Sequence, residues 1–215
     1  MSTESVQYIA AVAHLPSGAT LRLPCVSWEE YEALLSDLTD WPGMRVSYDA
    51  GSLEIMSPSP EHEEYKEFVY SLARVISVES GIPLESRGSA TFRQKRLGKS
   101  AEPDTCFYVQ NAARIIGRRT IDLDVDPPPD IVVEIDTTHE SLSKFNVPFG
   151  VPEIWRYDGQ HAHFYRLADQ RYAEVPASLA FPSLTADALA NFIAQSNTEG
   201  QTVALVAFRQ WWRGQ

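Results

Sequence analysis

Pro129-Asp130-Ile131-Val132-Val133-Glu134-Ile135-Asp136 reads as a β-strand entered through a proline, with β-branched residues at its centre. Side chains alternate across a strand, so Asp130, Val132, Glu134 and Asp136 share one face while Ile131, Val133 and Ile135 share the other. Three acids on one face do not resemble core packing. Like charges crowded there repel, and burying an unpartnered carboxylate is costly, so a bound cation is an economical explanation. Hard carboxylate oxygens suit Mg2+ or Mn2+. A solvent-exposed edge face bearing ordinary acids is the other reading. Upstream, Glu102-Pro103-Asp104-Thr105-Cys106-Phe107-Tyr108-Val109 repeats the arrangement, with a carboxylate set against an apolar run.

Working outward, the apolar residues Tyr65, Phe68, Val69, Leu72, Ala73 and Ile76 recur with helical spacing after Pro60 and predict one amphipathic helix ending near Gly81. Ser27 is a good N-cap for a short helix from Trp28, with acids in its first turn. Met44–Tyr48 and Leu53–Met56 flank the turn residues Asp49-Ala50-Gly51-Ser52 and predict a hairpin. Further β character falls at about residues 83–86, 90–94, 105–109, 131–136, 153–157, 161–167 and 171–175, with a short helix over 111–116. Residues 185–194 and 201–212 read as helices. Helices with a mixed sheet give the class α/β (α+β). The domain reading is a single domain over 1–215, with an N-terminal extension over 1–26 and a helical C-terminal extension over 176–215.

Composition bounds the rest. With 215 residues, 44% hydrophobic and 22% charged, the chain can bury a full core and is neither disordered nor fibrous. No apolar run approaches the length of a membrane span, and the N-terminus lacks a secretory pattern, so no membrane association is expected. Cys25 and Cys106 are the only cysteines, which points to a cytoplasmic compartment and excludes a cysteine-built zinc site. The net charge of −11 disfavours a general nucleic-acid binder. Its distribution is uneven, however: between Glu85 and Arg119 lie Arg87, Arg93, Lys95, Arg96, Lys99, Arg114, Arg118 and Arg119 against Glu85, Glu102 and Asp104. Arg93, Lys95, Arg96 and Lys99 are the candidate phosphate contacts, with a scatter of ordinary surface arginines as the alternative.

The segments Leu53 to His62, Glu102-Pro103-Asp104, Asp130 to Asp136 and Gly150-Val151-Pro152-Glu153-Ile154-Trp155-Arg156-Tyr157-Asp158, in that order, resemble the Uma-type putative restriction endonuclease family of the PD-(D/E)xK nuclease superfamily. The resemblance covers Trp28 to Tyr165. It implies a restriction-endonuclease-like core, a mixed β-sheet flanked by helices, with Asp104 as the Asp of the PD element and Glu134 as the acid of the (D/E)xK element. The superfamily pattern has lysine two residues after that acid, where this chain has Asp136. A carboxylate there adds metal affinity but supplies no positive charge. Lys144 is the candidate replacement, with a solvated surface lysine as the alternative. Pro148 shortens the segment that would carry it.

The functional expectation is a metal-dependent endonuclease hydrolysing phosphodiester bonds of nucleic acid, DNA first. Asp104, Glu134 and Asp136 would hold Mg2+ (or Mn2+), and Lys144 and His62 would join Asp104 and Glu134 in catalysis. The alternative is a catalytically degenerate nuclease fold that binds nucleic acid or a protein partner without cutting. Glu63 and Glu54 face either the site or solvent. His161 and His163 read as a hairpin surface pair, and Asp122 to Asp126 as a solvated loop. No phosphate-cradling glycine loop or Gly-x-Ser-x-Gly elbow occurs. A homodimer would suit cleavage of two strands, and Trp211-Trp212 would serve it or pack on its own body.

Overall fold

The computed structural model describes Val12 and residues 14–37, 43–136 and 149–215. In chain order these form β1 (Thr20–Leu23), α1 (Trp28–Asp37), β2 (Arg45–Asp49), β3 (Ser52–Met56), α2 (Pro60–Ser80), β4 (Glu85–Ser86), β5 (Phe92–Gln94), a 3-10 turn (Lys95–Leu97) and β6 (Lys99–Ala101). Then follow β7 (Thr105–Tyr108), α3 (Ala112–Ile115), β8 (Ile131–Ile135), β9 (Glu153–Tyr157), β10 (Ala162–Ala168), β11 (Arg171–Val175), α4 (Ala186–Glu199) and α5 (Gln201–Trp212). This is a mixed α+β architecture, with two sheets and helices. The chain divides into two compact units, one of residues 1–60 and 91–102 and one of residues 61–90 and 103–215.

The first unit is built on a sheet of order β1-β3-β2-β6-β5. Its centre is the predicted hairpin: Ala50 and Gly51 both take positive φ, 46° and 98°, the backbone a two-residue turn of this hand requires. The Ser27 cap forms as expected, with Ser27 Oγ accepting from the Glu30 N–H at 3.2 Å and Glu30 Oε2 accepting in return from the Ser27 N–H at 2.7 Å. That cap starts α1, whose Trp28, Tyr31 and Leu34 pack with Val46, Tyr48, Leu53 and Ile55 in a separate core. The residues of β1, read from sequence as extension, pair with β3 at the sheet edge from Thr20↔Met56 to Leu23↔Leu53.

The second unit holds a sheet of order β11-β10-β9-β8-β7-β4, in which only β8 and β9 pair in parallel. Tyr65, Phe68, Val69, Leu72, Ala73 and Ile76 of α2 bury against Phe107, Ile131, Val133, Ile135, Trp155 and Tyr157 of the sheet. The expected apolar face of β8 is therefore the core face. α4, capped by Thr185 Oγ1 accepting from Ala188 N–H at 3.1 Å, and α5 add Leu189, Ile193, Ala204 and Phe208 to the same core. Trp211 and Trp212 pack on Phe208 of their own helix, and Trp212 Nε1–H donates to Ser80 Oγ at 2.8 Å. Of the two uses weighed for this pair, the structure shows packing on the body.

Candidate active site

All five residues of β8 are buried, so its second face is covered as well as the core face. Val132 is fully buried and Glu134 is 4% exposed, so the acids do not decorate a solvated edge. The acids on this face divide into separate roles. Asp130 accepts from Val109 N–H at 2.7 Å, Asn111 N–H at 2.9 Å and Asn111 Nδ2–H at 2.7 Å. It closes the turn between β7 and α3 and is a structural carboxylate. Glu134 and Asp136 lie further along, at the C-terminal end of β8.

Asp104 stands just before β7 and is 4% exposed. Its Oδ2 accepts the Ile135 N–H at 2.6 Å, and its Oδ1 lies 3.1 Å from His62 Nε2. The β7–β8 register pairs Thr105 with Val133, and one further step sets Asp104 opposite Glu134. His62, in the first turn of α2, is 3% exposed, and its Nδ1 lies 3.7 Å from Glu63 Oε1. His62 therefore reaches the Asp104 carboxylate, while Glu63 pairs with Lys66 on the helix surface. Asp104, Glu134 and His62 are thus gathered by two adjacent strands and a helix N-terminus in one unit.

Asp136 accepts a hydrogen bond from Arg156 Nε–H at 2.9 Å. Arg156 comes from β9, whose parallel register pairs it with Glu134. Burial alone would lower the Arg156 pKa, but its contacts with Asp136 and Tyr165 outweigh this and raise it, so the guanidinium is firmly charged. Sequence reasoning missed this residue. Its signal was present in the fourth motif, Glu153-Ile154-Trp155-Arg156, but alternation alone does not reveal which strand lies next to β8.

The other members of that motif are structural. Glu153, 1% exposed, accepts from Trp155 Nε1–H at 2.7 Å and from the Leu179 and Ala180 N–H groups at 3.0 Å each. Burial pushes its carboxyl up, against the pull of these bonds. Glu102 is likewise structural: it accepts from Val46 N–H at 3.0 Å and Thr91 Oγ1–H at 2.7 Å within the first unit. Glu54 takes neither of its weighed places cleanly, being bound to Arg22 across the β1–β3 pair at 2.7 Å.

Arg93 on β5, Lys95 and Arg96 on the 3-10 turn, and Lys99 on β6 belong to one hairpin of the first unit. Lys99 Nζ pairs with Asp49 at 2.8 Å, and Lys95 Nζ sits 3.7 and 3.6 Å from Glu29 and Glu32. Lys144 lies outside the described residues. His163 Nδ1 is 2.8 Å from Glu174 Oε1 and its Nε2 is 3.8 Å from Asp158, which fits the hairpin-surface reading.

Among the described residues no group of three or more His, Cys, Asp or Glu side chains is arranged to hold a metal. The donor set at the β7–β8 end is two buried carboxylates, Asp104 and Glu134, with Asp136 beside them. That chemistry fits Mg2+, which keeps several waters and commonly takes only one or two protein carboxylates.

Fold and site together define a mixed α+β protein whose buried acids converge at the ends of two adjacent sheet strands, beneath the first turn of a long helix. The chain belongs to the Uma2 family, described as "Putative restriction endonuclease", whose model matches residues 28–196. A solved structure described as "a putative nuclease belonging to DUF820 from Anabaena variabilis ATCC 29413" is similar over 68% of this chain and 89% of that one, at 18% identity and a TM-score of 0.46. No curated protein matches the chain. Family membership supports nuclease function in general, with nucleic acid as the partner class. No helix among the described residues is long and apolar enough to cross a membrane.

Proposed function

We propose that the protein is a metal-dependent endonuclease that hydrolyses phosphodiester bonds, with DNA as the first substrate to test. The observation that carries this reading is the convergence of Asp104 and Glu134, both nearly inaccessible, at the joined ends of β7 and β8 in a member of the Uma2 family. Two ionised carboxylates buried side by side repel each other and lose hydration, and a divalent cation offsets both costs. Bound there, Mg2+ would polarise the scissile phosphate and lower the pKa of a coordinated water.

The chain's own residues set the geometry. The Ile135 N–H fixes one oxygen of Asp104, which aims the carboxylate along the strand end. His62 Nε2 lies 3.1 Å from the other oxygen. In this reading its imidazole passes a proton to or from the reacting oxygen. Glu134 contributes the second carboxylate, and Asp136 adds negative charge that Arg156 balances. Lys144 is proposed as a further cationic group, and Arg93, Lys95, Arg96 and Lys99 as contacts to nucleic-acid phosphates. A homodimer would supply two sites for two strands.

A second reading is favoured by Asp136, a carboxylate tied to Arg156 where the superfamily pattern has lysine: a nuclease fold that binds nucleic acid or a protein partner without cutting. Calorimetry with Mg2+ and Mn2+ on wild type and on the Asp104→Ala, Glu134→Ala double variant, followed by cleavage of labelled DNA and RNA, separates the two. Metal binding and cleavage lost together in the double variant support the nuclease. Metal-dependent cleavage that survives Asp104→Ala refutes the site, and nucleic-acid binding without turnover supports the second reading.

A further inference from the structure

The sheet registers line up four polar side chains in one row. Thr105↔Val133 carried one step sets Asp104 beside Glu134, Glu134 pairs with Arg156, and Arg156 pairs with His163. Partners in register share a face and lie about 4.8 Å apart across the sheet. Arg156 is therefore the next side chain after the two acids, on the face that carries them. Its side chain is 16% exposed, enough for the tip to meet a ligand while the stem is packed. Asp136 takes the Nε–H at 2.9 Å, which fixes the plane of the guanidinium. Tyr165 takes a further hydrogen bond from the guanidinium, whose five N–H donors in a planar fork match the oxygens of a phosphate.

Charge leads to the same place. Asp104, Glu134 and Asp136 form an acidic cluster, and Asp136, whose charge Arg156 balances, supplies no cation of its own to a phosphodiester. Arg156 hydrogen-bonds to Asp136 of this cluster.

We infer that Arg156 is a substrate-binding residue that grips a non-bridging oxygen of the scissile or adjacent phosphate, so that β9 supplies the positive charge that position 136 does not. This rests on the nuclease reading above and adds to it a residue of the fourth motif that belongs to neither the PD element nor the (D/E)xK element. Asp136 is then the positioning residue for that guanidinium.

The test uses the full chain and a fluorescein-labelled DNA duplex. Binding is followed by anisotropy in Ca2+ over a range of NaCl concentrations, and cleavage is followed in Mg2+. Arg156→Gln is expected to weaken binding about tenfold and to lower the slope of log affinity against log salt by about 0.9, the loss of one phosphate contact. Arg156→Lys, which keeps the charge but not the fork, is expected to keep the slope and recover part of the affinity. Asp136→Asn breaks the same ion pair and is expected to weaken binding with the wild-type slope. A purely structural pair predicts equal losses in Arg156→Gln and Asp136→Asn with no change of slope, and that result overturns the inference. If wild type binds and cleaves while Arg156→Gln keeps the wild-type slope, the inference fails and the nuclease reading stands. If wild type neither binds nor cleaves DNA or RNA, both fail.

Discussion

Asp130 and Glu134 lie on the same face of one strand and are both 4% exposed, yet the structure gives them opposite energetic roles. Asp130 receives three donors, two of them backbone N–H groups of the β7–α3 turn. Asp130→Ala strands all three in a buried place. Hydrogen bonds to a charged group are worth about 1.5–3 kcal/mol each and are not additive, so the expected loss is about 3–5 kcal/mol. At about 2–4 °C per kcal/mol for a chain of this size, the melting temperature should fall by about 6–20 °C. Glu134→Gln keeps the shape and removes one of the clustered negative charges, so its stability should stay within about 1 kcal/mol of wild type or rise. Urea unfolding at neutral pH, followed by tryptophan fluorescence, reads both, because Trp155 lies in the core of this unit. Activity should divide the other way, with Glu134→Gln inactive and folded Asp130→Ala retaining cleavage. An Asp130→Ala midpoint equivalent to less than 1 kcal/mol from wild type, or a Glu134→Gln loss as large as that of Asp130→Ala, would refute the division of roles.

The two thiols should differ sharply. Burial pushes the Cys106 thiol up to about 12, while Cys25 is exposed, so a disulfide reagent at about pH 8 should titrate one thiol in the folded protein and both in urea. Rapid modification of both thiols in the folded state would contradict this packing. Burial also raises the Glu102 carboxyl above its ordinary value, with the Thr91 and Val46 hydrogen bonds and the Arg45 charge pulling back. The folded state then holds the proton more tightly, so Glu102's contribution is fully present below the ordinary carboxylate value and is lost as pH rises through the raised one. The stability of wild type relative to Glu102→Gln should therefore decline as pH rises from the ordinary carboxylate value through the raised one, and a flat or rising difference in urea midpoints would reverse the sign assigned to burial.

Local chemistry made much of the fold legible. The 3.6-residue spacing from Tyr65 to Ile76 is a property of the segment itself, and α2 spans Pro60–Ser80 as that spacing predicts. The Ser27 cap, the Asp49-Ala50-Gly51-Ser52 turn and the alternation of Ile131, Val133 and Ile135 are equally local. What these patterns do not carry is pairing between distant strands. β6, with the sequence Lys99-Ser100-Ala101, has little intrinsic strand preference and exists because β2 and β5 flank it. The division into two sheets follows from such pairings, and so do the different fates of Glu102 and Asp104, two residues apart in sequence. The first is held by Val46 and Thr91 in one unit, the second by Ile135 and His62 in the other.

By itself the sequence determined the helix and strand periodicities, the caps and turns, and the presence of acids at Asp104, Glu134 and Asp136 in an order that resembles a nuclease family. Only the tertiary structure decided which acids work as structural acceptors and which converge, and it alone brought Arg156 beside Glu134 and onto Asp136. The physical reason is that alternation fixes the face on which a side chain stands, whereas its neighbour on that face is fixed by register with a strand far away in the chain.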